Sequence, residues 1–427
     1  MKLLIISYSY TPDLTPRAFR WSAVAAQLVQ MGHEVHVLCA AAPGLSEPVD
    51  DGVTVYRVRD FLLNGSSRVT PGAGGASPST QDMAGRLRGW FRTAARSLWR
   101  TFYWPDFACG WVLPAAKVGR TLCASNGYDW VISVSHPFSG HVVGMLSMAK
   151  APSARWLADI GDPFHLMKDP APNNRRLYSW LNRVVESRVV VRADAISVTT
   201  DSTCQLYEQY FSFTEGKVEV IPPVLSLPAS PVPSEWTRDD TIRLVFVGTL
   251  YRNLRSPKYL LACMEALVEA LPERQLELHF YGSINDCGES FELFAERLES
   301  RLFIHGMVSR VQVLQAMVDS DILVNIGNDS EAQLASKVIE YMAIGKPILN
   351  LVSIQRDTSV EALAEYSAAL SLVRDESGPS AATLKALCEF VQHPPLVDAH
   401  AAERVRLKYS PAHVAGLYAT ILERETP

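Results

Sequence analysis

The sequence has no apolar run of the roughly eighteen residues that a membrane-spanning helix needs. Its seven cysteines are widely spaced and include no Cys-x-x-Cys pair, so the pattern indicates neither a zinc site nor a thiol redox motif. Scattered, odd-numbered cysteines are typical of a reducing compartment. The formal net charge of -5 argues against general nucleic-acid binding. We therefore expect a cytoplasmic protein with no nucleic-acid partner.

Two further motifs are missing near the amino terminus. The opening segment MKLLIISYSY has a short apolar core but no small-residue cleavage site, which favours a first buried strand over a signal peptide. No Gly-x-Gly-x-x-Gly follows that strand, which disfavours a dinucleotide-dependent dehydrogenase. The chain thus begins like an α/β domain without the fingerprint of dinucleotide binding.

The first half of the chain alternates between strand and helix patterns. A buried strand is followed by an amphipathic helix from about Arg17 to Met31 and then by the strand EVHVLCA. Further strand patterns follow at YDWVISVS, ARWLADI and DAISVTT, each separated by a segment of helix length. Such alternation predicts a parallel sheet covered by helices, which we assign to residues 1–221.

The second half repeats this architecture after a proline-rich break. Residues 222–240 are predicted to be a linker and residues 64–80, rich in Gly, Ser and Pro, a mobile loop. A second α/β domain is predicted over residues 241–400, and residues 401–427 are predicted to form a helix that packs back toward the first domain. Open α/β sheets bind ligands at the carboxyl ends of their strands, so we expect a ligand cleft between two doubly wound domains.

Several segments together resemble glycosyltransferase family 4, particularly its bacterial polysaccharide and O-antigen members. The resemblance covers nearly the whole chain and is carried by RWSAVAAQLVQMGHEVHVLCA, WPDFACGW, WVISVSHPFSGH, WLADIGDPF, FVGTLYRNLRSP, FIHGMVSR and SKVIEYMAIGKPIL. It implies a retaining enzyme of the GT-B fold, with two Rossmann-like domains facing across a cleft. It also implies a UDP- or GDP-linked sugar donor on the second domain, a lipid-linked or glycan acceptor on the first, and neither metal nor separate cofactor.

A sugar nucleotide releases a diphosphate, so its site must stabilise negative charge. Gly248 and Thr249 follow the first strand of the second domain, where backbone can approach phosphate, and Arg255 offers a bidentate fork for phosphate. The resemblance supports this assignment. The neighbouring cations Arg252 and Lys258 are interpreted as the solvated start of a helix.

The segment ASKVIEYMAIGKPIL predicts a helix with Ser336 near its amino-terminal cap, which would direct the positive end of its dipole at the diphosphate. Lys337 in its first turn is a second candidate for binding the diphosphate. Glu340 matches the family glutamate that hydrogen-bonds the ribose. The alternative is that both side chains belong to an ordinary surface helix.

The family pattern places a second glutamate eight positions before the first, but Ala332 occupies that position here and Glu331 is one residue out of register. A bulge would bring Glu331 to the sugar. Otherwise Asn325, Asn328 or backbone amides near Leu334 would make the contact.

The nucleobase is predicted to lie against residues 305–308. Gly306 permits close approach there, and the resemblance implies that the backbone of Met307 and Val308 reads the edge of the base.

On the acceptor side, His136 follows one strand of the first domain, and Asp159 and Asp162 follow the next. The two aspartates are predicted to orient the acceptor hydroxyl or to stabilise an oxocarbenium-like centre. An aspartate before a proline is also a common turn former. Gly161 stands where family members carry an arginine, so a cation of the family pattern is missing.

The resemblance implies a retaining reaction, and the sequence shows no well-placed enzymic nucleophile. On these two grounds together we expect front-face attack, in which the leaving phosphate takes the acceptor proton and the enzyme supplies position and charge. The candidate catalytic set is His136, Asp159, Asp162, Arg255 and Lys337.

Two groups of basic residues are candidates for contact with an acceptor or a membrane. Arg17 and Arg20, near the start of the first helix, are predicted either to meet an acceptor phosphate or to be solvated. Four arginines recur at every fourth position among aromatic residues, and this pattern predicts either an interfacial helix on anionic lipid or a helix with a solvated face. The basic positions are Arg88, Arg92, Arg96 and Arg100, and the aromatic ones include Trp90, Trp99, Phe102 and Trp104.

The Asp-x-Asp motif at Asp319 and Asp321 is interpreted as structural, because it falls at a helix-to-strand junction. Two other functions stay open at this point. One is a nucleotide-sugar epimerase, which would act on the donor without an acceptor. The other is a degenerate transferase that serves as a scaffold, suggested by Ala332 and Gly161.

Overall fold

The structure is a computed structural model of the 427-residue chain. It describes residues 1–13, 15–41, 49–62, 101–167, 171–225, 227, 240–328, 336–355, 357–375 and 377–424. The chain divides into two compact units: Met1–Val224 together with Pro411–Pro427, and Leu225–Ser410. The predicted loop 64–80 and most of the predicted linker 222–240 lie outside the described residues.

The first unit is built on an eight-stranded sheet in the order β3-β4-β2-β1-β5-β6-β7-β8. Its pairings are parallel except for β3, which pairs antiparallel with β4 at one edge. The central strands are apolar on both faces because helices cover both sides. The strands are β1 Lys2–Ile6, β2 Glu34–Ala40, β3 Val49–Asp50, β4 Val53–Val58, β5 Trp130–Val134, β6 Arg155–Ile160, β7 Ala195–Val198 and β8 Val218–Val220.

The helices of the first unit lie between these strands, and one comes from the carboxyl terminus. Helix α1 begins where the Thr15 side chain accepts a hydrogen bond from the Ala18 amide, with proline at the first helical position. The described α-helices of this unit are α1 Pro16–Gln30, α2 Cys109–Asn126, α3 Ser139–Ser147, α4 Arg175–Arg192, α5 Asp201–Tyr210 and, after the second unit, α13 Pro411–Glu423.

The second unit has a six-stranded parallel sheet in the order β11-β10-β9-β12-β13-β14. Its first strand lies in the middle and the order reverses there, which is the doubly wound arrangement. The strands are β9 Thr241–Val247, β10 Gln275–Tyr281, β11 Leu302–Gly306, β12 Ile322–Ile326, β13 Ile348–Val352 and β14 Ala369–Val373.

Helices cover both faces of this second sheet, as they do in the first unit. Helix α8 begins with a reciprocal capping box between Ser309 and Gln312. The described α-helices are α6 Lys258–Ala270, α7 Gly288–Leu298, α8 Arg310–Asp319, α9 Ser336–Ile344, α10 Thr358–Ala362, α11 Ala381–Gln392 and α12 Ala399–Lys408. The prediction of two doubly wound α/β domains is therefore confirmed.

The carboxyl-terminal segment forms two helices instead of one. Helix α12 belongs to the second unit, whereas α13 belongs to the first, where it packs on α1. The Trp21 and Tyr418 rings lie 4.9 Å apart between these two helices. Within the described residues, no helix combines the length and the apolar character that a membrane span requires.

Candidate active site

In the second unit, the candidate site is built where β9, β10, β11 and β12 end. Gly282 follows β10 at a φ of 127°, and a Cβ atom there would lie 2.0 Å from the carbonyl oxygen of Gly248, which follows β9. Only glycine fits so close to that backbone. The turns after β9 and β10 therefore meet at Gly248 and Gly282, and we call the surface formed by these two glycines the shelf.

Arg255 lies beside this shelf. Its Nε and Nη2 atoms donate to Asn328 Oδ1 at 3.2 and 2.5 Å, and Nη1 donates to the Thr249 carbonyl at 3.3 Å. Burial lowers the pKa of the guanidinium, but an arginine keeps its charge at any physiological pH. The structure thus places Gly248, Thr249 and Arg255 together and adds Asn328 as the acceptor that holds the fork.

Glu340 forms a second charged group on α9. Lys337 Nζ donates to Glu340 Oε2 at 2.8 Å, one helical turn away. Arg310 Nη1, from the start of α8, donates to the same oxygen at 3.0 Å. Both cations therefore bond Oε2, and within the described residues no donor reaches Oε1.

The hydroxyl of Tyr341 connects α9 to the end of β9. It accepts a hydrogen bond from the Val247 amide at 3.0 Å and is fully buried.

Burial lowers the pKa of Lys337, and the Glu340 carboxylate partly opposes that shift. A partly desolvated lysine held by a carboxylate interacts strongly with an incoming anion.

Arg310 was missed by the sequence analysis. It lies thirty positions before Glu340 in the chain, and the two residues meet only because α8 packs against α9. The local signal available was a serine cap followed by a basic residue directly after the predicted base-reading turn.

The predicted base-reading turn follows β11. Gly306 has a φ of 69° and Met307 is exposed, whereas Val308 is half-buried. The exposed His305 ring stacks on Tyr281 with centroids 4.1 Å apart, and its Nε2 lies 3.0 Å from His279 Nδ1. An aromatic ladder thus flanks the backbone of this turn.

The remaining donor-side residues have separate positions. Asn325 is buried and donates to Asn350 at 2.7 Å, so its amide is engaged in the core and the proposed alternative contact with the sugar is wrong for this residue. Arg252 pairs with Glu289 at 3.0 Å, and Lys258 is exposed at the start of α6, in line with their interpretation as solvated cations. Glu331 and the side chain of Ser336 lie outside the described part of the chain.

In the first unit, the Asp159 side chain is buried in the core and does not face the carboxyl edge of the sheet, where a ligand would bind. Its carboxylate accepts hydrogen bonds from Trp21, Ser197 and Tyr418 at 2.9, 2.8 and 2.7 Å and has no exposed surface. Burial acts to raise its pKa, but Arg20 and Arg17 hold that pKa below its ordinary value. The predicted catalytic role is therefore corrected, because this carboxylate ties α1, β6, β7 and α13 together.

Arg20 also has a structural role. Its Nη1 and Nη2 atoms donate to the Pro222 and Ile221 carbonyls at 2.7 and 3.2 Å, and Nη2 donates to the Tyr418 hydroxyl at 2.7 Å. The side chain is buried, so the predicted contact with an acceptor phosphate is wrong for Arg20. Arg17 differs, because its side chain retains 17% exposure beside Asp159.

Two predicted acceptor residues face outward in this unit. His136 is exposed and its ring lies 5.6 Å from the ring of Phe107. Asp162 is half-buried and makes no hydrogen bond or ion pair with the residues that the structure describes. Both residues lie just after the carboxyl ends of their strands, β5 for His136 and β6 for Asp162.

A serine–histidine pair in the same unit is not a nucleophile. Ser133 Oγ lies 2.8 Å from His141 Nδ1, but both residues have no exposed surface, and Trp156 donates to the serine oxygen. Burial lowers the pKa of His141 to about 3, so the ring is neutral. The pair fills the core behind the site.

The basic stretch from Arg88 to Arg100, including Arg92, Arg96 and Trp99, lies outside the described residues. Of its aromatic neighbours, Phe102 is exposed, and Trp104 donates to Asn182 at 3.0 Å.

Two family models match the chain, one in each compact unit. Residues 18–223 match the family model described as Glycosyl transferase 4-like domain, and residues 241–382 match Glycosyl transferases group 1. No curated protein sequence matches the chain significantly.

Solved structures resemble the chain over nearly its whole length. Sucrose-phosphate synthase from Thermosynechococcus elongatus has a TM-score of 0.62 at 14% identity, with 98% of each chain covered. The lipopolysaccharide outer core galactosyltransferase WaaB reaches 0.55 at 13%, with 98% of each chain covered. A Listeria monocytogenes protein described as a UDP-N-acetylglucosamine 2-epimerase also reaches 0.55 at 13%, covering 100% of this chain and 98% of its own.

At such low identity these neighbours show the fold, and the matched families show the type of chemistry. The two family models adjoin one another along most of the sequence, one in each compact unit. The chain therefore belongs to the glycosyltransferases of the GT4 type and is a sugar-transferring enzyme of the GT-B fold.

Proposed function

We propose that this enzyme moves a sugar from a nucleoside diphosphate to a lipid-linked or glycan acceptor, with retention of configuration, in the synthesis of a bacterial surface polysaccharide. The observation that carries the proposal is the set of charged side chains at the carboxyl edge of the second sheet. Arg255 lies beside the shelf of Gly248 and Gly282, and Lys337 and Arg310 both hold Glu340 by one oxygen.

Each part of this set suits one part of a sugar nucleotide. The fork of Arg255 and the ammonium of Lys337 suit the two phosphates. Glu340 Oε1 suits the ribose hydroxyls, because Oε2 is already occupied by two cations. The backbone after β11 suits the edge of the base.

In the reaction we propose, the bond from the anomeric carbon to the leaving phosphate breaks while the acceptor oxygen bonds to that carbon on the same face. The acceptor proton passes to the leaving phosphate oxygen. Arg255 and Lys337 stabilise the charge that grows on the diphosphate. Asp162 and His136 orient the acceptor, and Asp159 takes no direct part because it is buried. The donor is the only nucleotide required, and neither a metal nor a further cofactor takes part.

The polysaccharide setting is proposed from the sequence resemblance, and the presence of WaaB among the structural neighbours is consistent with it. We also propose that the enzyme works at the inner face of the cell membrane, held there by the basic stretch around Arg92. Flotation with anionic liposomes tests this part, and binding that is unchanged when residues 86–100 are deleted would contradict it.

The decisive experiment for the reaction begins with a thermal-shift screen of UDP-, GDP- and other sugar nucleotides. The stabilising donor is then incubated with cell-envelope glycolipids, and the anomeric configuration of the product is read by NMR. A product with the configuration of the donor supports the proposal, and an inverted product would refute retention. Conversion of the donor without any acceptor would point to an epimerase, and binding without turnover to a scaffold.

A further inference from the structure

The guanidinium of Arg17 lies where the side chain of residue 161 would be if that residue were not glycine. A Cβ atom built on Gly161 would lie 1.0 Å from Arg17 Nη2 and 1.9 Å from its Cζ. Gly161 directly follows β6, so the guanidinium lies over the carboxyl end of that strand. Position 161 is therefore compatible with this arginine only because it is glycine.

Within ion-pair distance, the positive charges of Arg17 and Arg20 outnumber the negative charges. Arg17 and Arg20 approach the single carboxylate of Asp159 at 3.7 and 3.8 Å. Arg20 is buried and donates to two carbonyl groups and the Tyr418 hydroxyl. The excess positive charge is therefore presented by Arg17, the partner that keeps an exposed surface.

The hydrogen-bonding capacity of Arg17 is also unused. Its 3.7 Å approach to Asp159 is longer than a hydrogen bond, and the oxygens of Asp159 already accept from three other side chains. Arg17 donates to no residue that the structure describes. Of the titratable neighbours, His141 is neutral, because burial lowers its pKa to about 3, and Asp162 lies on the adjoining turn.

We propose that Arg17 is an anion subsite that binds a phosphate group of the acceptor, and that Gly161 is the cradle that holds its guanidinium in place. A planar fork with unused donors and excess charge is suited to bidentate binding of a phosphate. The identification of this phosphate with the acceptor rests on the proposed function. The existence of the subsite does not, since every residue in the argument belongs to the first unit.

The test uses the full chain with its donor site saturated by UDP or GDP, and binding of octyl phosphate is followed by ³¹P NMR. R17A and G161A are each expected to weaken binding about tenfold or more, G161A because its methyl group displaces the guanidinium. In the double variant R17A/G161A the loss should equal that of R17A alone, and R17K should recover part of the affinity. R188A removes an exposed arginine of α4 and is the matched control.

Melting temperature and nucleotide affinity are measured for each of these variants. Nucleotide affinity should stay near the wild-type value, and any fall in melting temperature from the lost contact with Asp159 should appear in R17A and not in R188A. Octyl glucoside serves as the neutral probe, and phenyl phosphate shows whether the alkyl chain matters. Unchanged octyl phosphate binding in R17A would overturn the proposal, and so would an equal loss of octyl glucoside binding. If neither nucleotide binds the wild type, the proposed donor fails, and the same titration in an R255A/K337A background still decides the role of Arg17.

Discussion

The two units place a carboxylate among basic side chains in different ways. In the first, Asp159 has no exposed surface, and three side chains donate to its oxygens. In the second, Glu340 receives both of its cations on one oxygen. An acidic residue near the carboxyl end of a parallel strand is therefore not a ligand site by position alone. Whether such a carboxylate can reach a ligand depends on the elements that cover it, and in the first unit α1 and α13 cover Asp159.

The largest expected effect separates these two carboxylates by stability. Asp159→Ala leaves the buried Arg20 beside an empty site and should lower the free energy of unfolding by about 3–5 kcal/mol. Glu340→Ala should lower it by only about 1–2 kcal/mol, because the Lys337 and Arg310 side chains keep 27% and 38% exposure and can be hydrated once the carboxylate is gone. Urea denaturation measures both values. Similar losses in the two variants would contradict the structural role assigned to Asp159.

The next effect is on catalysis. Arg255→Ala should reduce turnover about a hundredfold or more, since it removes a charge-assisted contact with the leaving diphosphate. Arg252→Ala is the matched control from the same loop, because Arg252 pairs with Glu289 on the surface. Initial rates with the identified donor measure the difference. Near-normal turnover in the Arg255 variant would remove that residue from the site.

A smaller effect is expected at the residue that the sequence analysis missed. Arg310→Ala leaves Glu340 held by Lys337 alone and should weaken nucleotide binding about fivefold to tenfold, while Arg310→Lys should keep most of the affinity. Calorimetric titration with the nucleoside diphosphate measures both. An unchanged affinity in the alanine variant would show that Lys337 is sufficient to orient the carboxylate.

The smallest expected effect is a pH dependence. Burial lowers the pKa of Lys337, so this lysine loses its charge at a lower pH than an ordinary lysine does. The diphosphate binds the protonated form, and affinity should therefore be complete below that pKa and fall as the pH rises through it. Lys337→Arg should flatten the alkaline limb of the affinity profile. A wild-type profile that stays flat up to the ordinary pKa of lysine would contradict this account.

The predicted strands of the first sheet were confirmed as β1, β2, β5, β6 and β7. The alternation of apolar residues and the position of turn-forming residues are local properties of the sequence, so both could be recognised without the structure. The ion pair of Lys337 with Glu340 could also have been predicted from the sequence, because the two residues lie one turn apart on one helix. Position along the chain could not show that Asp159 and Arg20 are buried. Tyr418, which contacts both, follows Asp159 by 259 positions.

The contacts of Arg310 and Arg17 were hidden for a related reason. Each depends on how two elements pack, α8 against α9 in one case and the first turn of α1 over the end of β6 in the other. From the sequence, Gly161 indicated only that the arginine of the family pattern is absent at this position. The structure shows that a cation from another element occupies the space above it.

The central claim is that Arg255 and Lys337 of the second unit bind the diphosphate of a sugar nucleotide, with Lys337 held in place by Glu340. Its most direct test is the calorimetric affinity of wild type and Lys337→Ala for the nucleoside diphosphate, with Lys258→Ala as an exposed control. We predict a loss of at least tenfold for Lys337→Ala and none for the control. Equal affinities in all three proteins would contradict the claim.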